Sequence, residues 1–255
     1  MDGITVGQFD LVYNALSFGF ATMAAATLFF WISLTQVSRN YKMALTITGL
    51  VTFIAAYHYF RIFESWEAAY TVTDNVVALS GARFNDAYRY VDWLLTVPLL
   101  LVELILVMRL TPQETFNKGL KLGSLAAIMV VLGYPGEISD ESTTRWIWWA
   151  LAMIPFAMIV LELFKSLSAS IESQPEEVRG LVNTARWVTV LSWSFYPVVF
   201  IFPMIGLTGG AAETAVQVGY TVADIVAKAG FGVLIYMIAV RKSEIEFRAA
   251  QMNHA

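Results

Sequence analysis

The chain has 255 residues, 58% of them hydrophobic and 14% charged, with a formal net charge of −4. A soluble domain carries about 25% charged residues, so these proportions exclude a soluble globular protein and indicate a polytopic membrane protein in one domain, residues 1–255. The lack of cysteine excludes a disulfide framework and a thiolate metal site, two histidines (His58 and His254) are too few for a histidine-rich metal centre, and the absence of a basic block argues against nucleic-acid binding.

Seven apolar segments run along the chain, over roughly 8–36, 42–63, 87–109, 119–134, 145–168, 181–204 and 211–240. Apolar runs of about 20 residues cross a bilayer as helices, so the predicted fold is all-α, a seven-transmembrane helix bundle. The start, MDGITVGQFD, has no positively charged n-region, and the first segment is therefore expected to stay as a helix. The interruptions SRNYK, TPQETFNK, GEISDEST, ESQPEEVR and GLTGG read as turns or caps. The longest gap, between the second and third segments, holds TDN, SG and ND and is expected to fold as a small hairpin over one membrane face.

Basic residues set the orientation. Arg39 and Lys42 follow segment one; Arg109, Lys118 and Lys121 follow segment three; Lys165, Arg179 and Arg186 surround the gap after segment five; Arg241, Lys242 and Arg248 follow segment seven. The opposite side has mainly Arg83 and Arg145, among Glu64, Glu67, Asp74, Asp86, Glu137, Asp140 and Glu141. The N-terminus is thus expected outside and the C-terminus in the cytoplasm.

The third segment, RYVDWLLTVPLLLVE (89–103), carries polar residues at Arg89, Asp92, Thr96 and Glu103. Spacings of three and four put Arg89, Asp92 and Thr96 on one helix face. Glu103 returns to nearly that face three turns later, about 16 Å further along. Ionisable groups inside a membrane usually line a pathway. Segment six, with WSFYPVVF, offers Trp193, Tyr196 and Pro197, and Trp93 and Tyr220 join them as aromatic surroundings for a flat apolar ligand. Aromatic residues at this spacing are equally ordinary core.

The seventh segment holds Lys228 near the middle of AVQVGYTVADIVAKAGFGVLIYMIAV (215–240), with Asp224 four residues earlier on the same face. A bare ammonium at the bilayer centre costs roughly 2.5–3.5 kcal/mol on insertion scales. A lysine between carboxylates is either a structural ion pair, as in a transporter, or a reactive amine that forms a Schiff base with a carbonyl cofactor.

These motifs together resemble the microbial rhodopsins over essentially the whole chain, and most closely the proteorhodopsin- and xanthorhodopsin-like bacterial proton pumps. RYVDWLLTVPLLLVE and DIVAK carry the resemblance, with AYHYFRIF (56–63), FNDAYRYVDW (84–93), GYPGEISD (133–140) and VQVGYTVADIVAK (216–228) in support. The resemblance implies a light-driven outward proton pump, not an enzyme, with all-trans retinal bound to Lys228 as a protonated Schiff base. It implies Asp92 as primary counterion and proton acceptor, Asp224 as second counterion, Glu103 as cytoplasmic donor, His58 as partner of the acceptor, and Arg89 below the counterions. Leu100, eight residues after Asp92, matches the position that separates green from blue forms and resembles the green form. A neighbourhood of Leu and Val makes a charge on Glu103 costly, so it is expected to hold its proton at rest. Glu213 and Glu137 are candidates for the release group.

The same resemblance implies a bacterial cytoplasmic (inner) membrane location in the lipid bilayer, protons as cargo and a homo-oligomer, pentamer or trimer. A sensory photoreceptor typically lacks a carboxylate at the position of Glu103. A sodium or chloride pump replaces the acceptor at Asp92. Some xanthorhodopsin-like pumps hold a carotenoid over a slot left open by glycine. TTRWIWWALAMIPF (143–156) puts Trp149 there, so no carotenoid antenna is expected.

Overall fold

The computed structural model describes residues 3–85 and 87–253. Asp86 and His254 lie outside the described residues. The helices are α1 (Val6–Ile32), α2 (Lys42–Ala69), α3 (Ala87–Met108), α4 (Pro112–Glu137), α5 (Ser142–Leu161), the short α6 (Ser168–Glu172), α7 (Glu176–Phe200), α8 (Gly210–Asp224) and α9 (Phe231–Met252). A π-type turn, Ile225–Gly230, joins α8 to α9, so 210–252 is one continuous span. A second π-type turn, Glu162–Ser166, prolongs α5.

Several helices start before their apolar stretch because their caps fix the boundary. The Thr5 side chain accepts from the Gln8 N–H and Gln8 returns a bond, starting α1. Thr111 and Glu114 close the same reciprocal box at the head of α4, with Pro112 as the first helical residue. That box starts α4 seven residues before the apolar run at 119. Between α2 and α3 the chain forms an antiparallel hairpin of β1 (Tyr70–Thr73) and β2 (Val76–Leu79), with Thr73 opposite Val76. Its two turn residues, Asp74 and Asn75, have φ of 49° and 64°. A two-residue hairpin needs positive φ at both positions, which Asp and Asn tolerate better than other side-chain-bearing residues.

Seven helical spans pack as a bundle in which sequence neighbours from α1 to α5 are also spatial neighbours, and α8 closes against α1. Among the described residues, six spans are long and apolar enough to cross a membrane. α7 is the seventh; its first turns carry Glu176, Glu177, Arg179, Asn183 and Arg186, and its second half is free of charged residues. The outside is apolar too: Phe18 (65% exposed), Ile32 (69%) and Leu191 (65%) face outward. Soluble proteins rarely show apolar faces of this extent; a bilayer covers them without cost. The polar residues of α3 point the other way, and Arg89, Asp92, Thr96 and Glu103 are all buried.

Candidate functional site

Lys228 projects from the π-type turn into the bundle and is 1% exposed. Its Nζ lies 2.8 Å from Asp92 Oδ2 on α3 and 2.8 Å from Asp224 Oδ1 on α8. Sequence spacing placed Asp224 beside the lysine; the packing of α3 brings Asp92 to the same atom. A buried charge must be paired to be tolerated. Here two carboxylates face one ammonium, and the buried Arg89 guanidinium, a turn before Asp92 on α3, brings the four groups to formal neutrality.

The two carboxylates have different surroundings. Asp224 accepts from Tyr59 Oη (2.8 Å), Tyr196 Oη (2.6 Å) and Trp93 Nε1 (3.3 Å). Besides Lys228, the basic side chain closest to Asp92 among the described residues is His58, with Nδ1 3.8 Å from Oδ1. That separation is too long for a hydrogen bond; the same Nδ1 lies 2.9 Å from the Ile54 carbonyl, its hydrogen-bond partner. Thr96 donates back to the Asp92 carbonyl (2.8 Å), within its own helix. Arg89 donates to Gln217, whose amide donates to Glu213 (2.9 Å), and its guanidinium lies over the Tyr220 ring at 5.2 Å and the Tyr59 ring at 5.9 Å. A polar chain thus runs from the ion cluster along α8 to Glu213. Glu103 stands apart, fully buried.

An apolar cavity reaches Lys228 and lies between α3, α4, α5, α7 and α8. Trp93, Leu100, Trp193, Tyr196, Pro197 and Tyr220 line it, together with Trp149. The Trp93, Tyr196 and Tyr220 rings contact one another, with centroids 4.9–5.7 Å apart. A cavity walled by aromatic and aliphatic side chains with one amine in its lining suits an apolar carbonyl compound. Trp149 occupies the α5 side, and its indole N–H donates to the Pro197 carbonyl at 2.9 Å.

The profile of the bacteriorhodopsin-like protein family matches residues 12–242. The chain belongs to the bacteriorhodopsin-like family. It is 33% identical over 237 residues to the green-light absorbing proteorhodopsin of Gamma-proteobacterium EBAC31A08, covering 91% of this chain and 88% of that relative. Among solved structures it is similar to xanthorhodopsin, described as a light-driven ion pump with dual chromophore, at TM-score 0.92 and 49% identity, over 95% of this chain and 97% of the other. Thermophilic rhodopsin matches at TM-score 0.93 and 42% identity, over 96% and 99% of the two chains.

Within this bacteriorhodopsin-like chain, sequence spacing missed two members of the site. Tyr59, which donates to Asp224, is adjacent to His58, and only its place in AYHYF marks it. It fits because Gly19 faces it from α1: a Cβ on residue 19 would lie 2.7 Å from the ring. Gln217, the Arg89 partner, lies within VQVGY and carries no charge to draw notice.

Proposed function

We propose that this protein is a light-driven outward proton pump in which Lys228 carries all-trans retinal. The observation that carries this reading is the Lys228 amine, buried in the lining of an apolar cavity and held between two carboxylates at 2.8 Å each. When bound, retinal supplies light absorption and an isomerisation that re-aims the N–H at Nζ. Asp92 is the acceptor, because its carboxylate is the one without three other donors holding its charge. Tyr59, Tyr196 and Trp93 keep Asp224 as the fixed negative charge. Arg89, Gln217 and Glu213 continue from the cluster toward the N-terminal end of α3 and form the exit side. Glu103, at the other end of α3 and with the Thr48 hydroxyl beside it, returns a proton to Nζ. The basic residues at the ends of α3, α5 and α9 support a cytoplasmic position for Glu103, and with it outward net transport. The chain works as one domain in the bacterial inner membrane, as a pentamer or trimer.

Cells carrying the protein and retinal should acidify their medium in light, and a protonophore should abolish the signal. A light-dependent signal that survives the protonophore, or alkalinisation, would overturn the reading.

Protonating Asp92 removes a negative charge near Nζ and should move the visible band to longer wavelength in acid. His58 lies 3.8 Å from Asp92, close enough for its charge to change how that carboxylate titrates. A His58→Asn variant should therefore shift the midpoint of the colour titration. An unchanged midpoint would assign His58 a packing role only.

We also propose that retinal is the sole chromophore. The Trp149 indole lines the cavity and is tied to Pro197, filling the side on which a second pigment would approach. Incubation with a xanthophyll should leave the action spectrum of pumping unchanged, and Trp149→Gly should acquire carotenoid-shaped bands. Such bands in the unaltered protein would refute the assignment.

A further inference from the structure

Lys242, on α9 beyond the membrane centre, is the other buried lysine among the described residues, at 6% exposure. Its ammonium donates to the Val107 carbonyl (3.0 Å), the Met108 carbonyl (2.9 Å) and Gln174 Oε1 (2.7 Å). All three of its protons are used. The two carbonyls are the last of α3, which stops because Arg109 turns left-handed at φ 57°. Helix-end carbonyls lack intrahelical donors and attract a cation. Gln174 belongs to the link between α6 and α7, where its amide is held by the Ser170 carbonyl at 3.0 Å. One ammonium therefore joins three segments distant in sequence.

Lys242 also sits between two compartments. On one side is a cavity open to the surface, lined by Arg109, Thr111, Glu114, Ser170, Gln174 and Lys242 itself. On the other side Glu103 is fully buried, and Leu104 and Val107, its neighbours along α3, are 1% and 0% exposed. Val107 follows Glu103 by four residues, about 6 Å of helix. Roughly one turn of α3 thus separates a polar, open cavity from a sealed carboxyl.

We infer that this cavity is the proton inlet for Glu103 and that Lys242 is its plug. Lys242 is a positioning residue, and the inference rests on Glu103 being the inner proton donor. While Glu103 is protonated, the α3 carbonyls hold the ammonium in place, and its charge repels hydronium. Once Glu103 has given up its proton, a new negative charge lies about one turn away in a low-dielectric setting. The ammonium is then drawn off the carbonyls, and the inlet opens when Glu103 needs refilling.

The chain contains no cysteine, so Val107→Cys introduces a single thiol behind the plug. In the dark this thiol should resist a water-soluble maleimide. Adding Lys242→Met should raise labelling from the inner surface by about tenfold or more, as local exposure governs access, whereas Lys242→Arg should keep it protected. This measurement needs no light, so it reads the plug even if the donor role of Glu103 fails. In a second arm a pH-indicator dye follows proton uptake from the inner side after a flash. Uptake should quicken in Lys242→Met and return to normal in Lys242→Arg, while loss of the proton from Nζ is unchanged. If Lys242→Met lacks its visible band through misfolding, Lys242→Gln, which keeps a donor without the charge, takes its place. Equal labelling in all backgrounds would overturn the plug, and labelling gained without faster uptake would overturn its place on the proton path.

Discussion

Lys228→Ala protein, reconstituted with all-trans retinal, should show no visible band. The cavity would remain and would still take an apolar ligand, but nothing else within it offers an amine: the remaining lining is aromatic, aliphatic or the Asp224 carboxylate. The substitution also removes the positive partner of Asp92 and Asp224, each 1% exposed. Breaking a buried ion pair by deleting one member costs roughly 3–5 kcal/mol, and the chain can lower that cost by protonating one carboxylate. Some loss of thermal stability should accompany the loss of colour. Lys228→Arg separates the two effects. A guanidinium keeps the charge between the carboxylates but is not a nucleophile toward a carbonyl. Its protein should recover stability and stay colourless. A normal visible band in either variant would show that the chromophore is held elsewhere, and the proposed pump would lose its centre.

Such a test was legible in the sequence because charges inside apolar runs have few explanations. Lys228, Asp92, Asp224 and Glu103 each stand out, and the period of the helix puts Asp224 on the face of Lys228 without any structure. The bundle was legible for the same reason: seven apolar runs separated by turn residues leave little choice of architecture. What remained hidden depends on how helices meet. Spacing along α3 does not say that Asp92 Oδ2 reaches the same nitrogen as Asp224 Oδ1 at the same distance. Nor does it reveal which carboxylate the neighbouring hydroxyls hold, since Tyr59 and Tyr196 come from α2 and α7 and resemble ordinary core aromatics. The helix limits were blurred because apolarity marks the bilayer while caps mark the helix, as at Thr111. The run from 211 to 240 ends where the residues turn polar, yet α9 continues to Met252, tied by Lys242 and by Ser243, which accepts from the Ser38 backbone N–H. A buried lysine eleven residues from the end of the described chain looks, in sequence, like one more cytoplasmic charge.

Glu103→Gln should slow the return of the proton to Lys228 Nζ by about a hundredfold, within the range expected for losing a positioned general acid. Gln is nearly isosteric and cannot supply a proton. Glu103 does not line the chromophore cavity, so the visible band should stay nearly unchanged. Departure of the proton from Nζ to Asp92 should also be unaffected, since that exchange takes place on the other side of the cluster. The surviving return path would draw protons from bulk solution, and its rate should fall about tenfold for each unit rise in pH, because hydronium is then the reactant. In the unaltered protein a carboxyl loaded before the flash should keep the return rate nearly independent of pH. A small membrane-permeant weak acid at millimolar concentration should restore a fast return in Glu103→Gln, which distinguishes a missing proton from a distorted helix. A return at the unaltered rate would remove Glu103 from the donor role. It would also move the search to other protonatable groups near the inner end of α3, where Lys242 and the open cavity lie within about one turn of it.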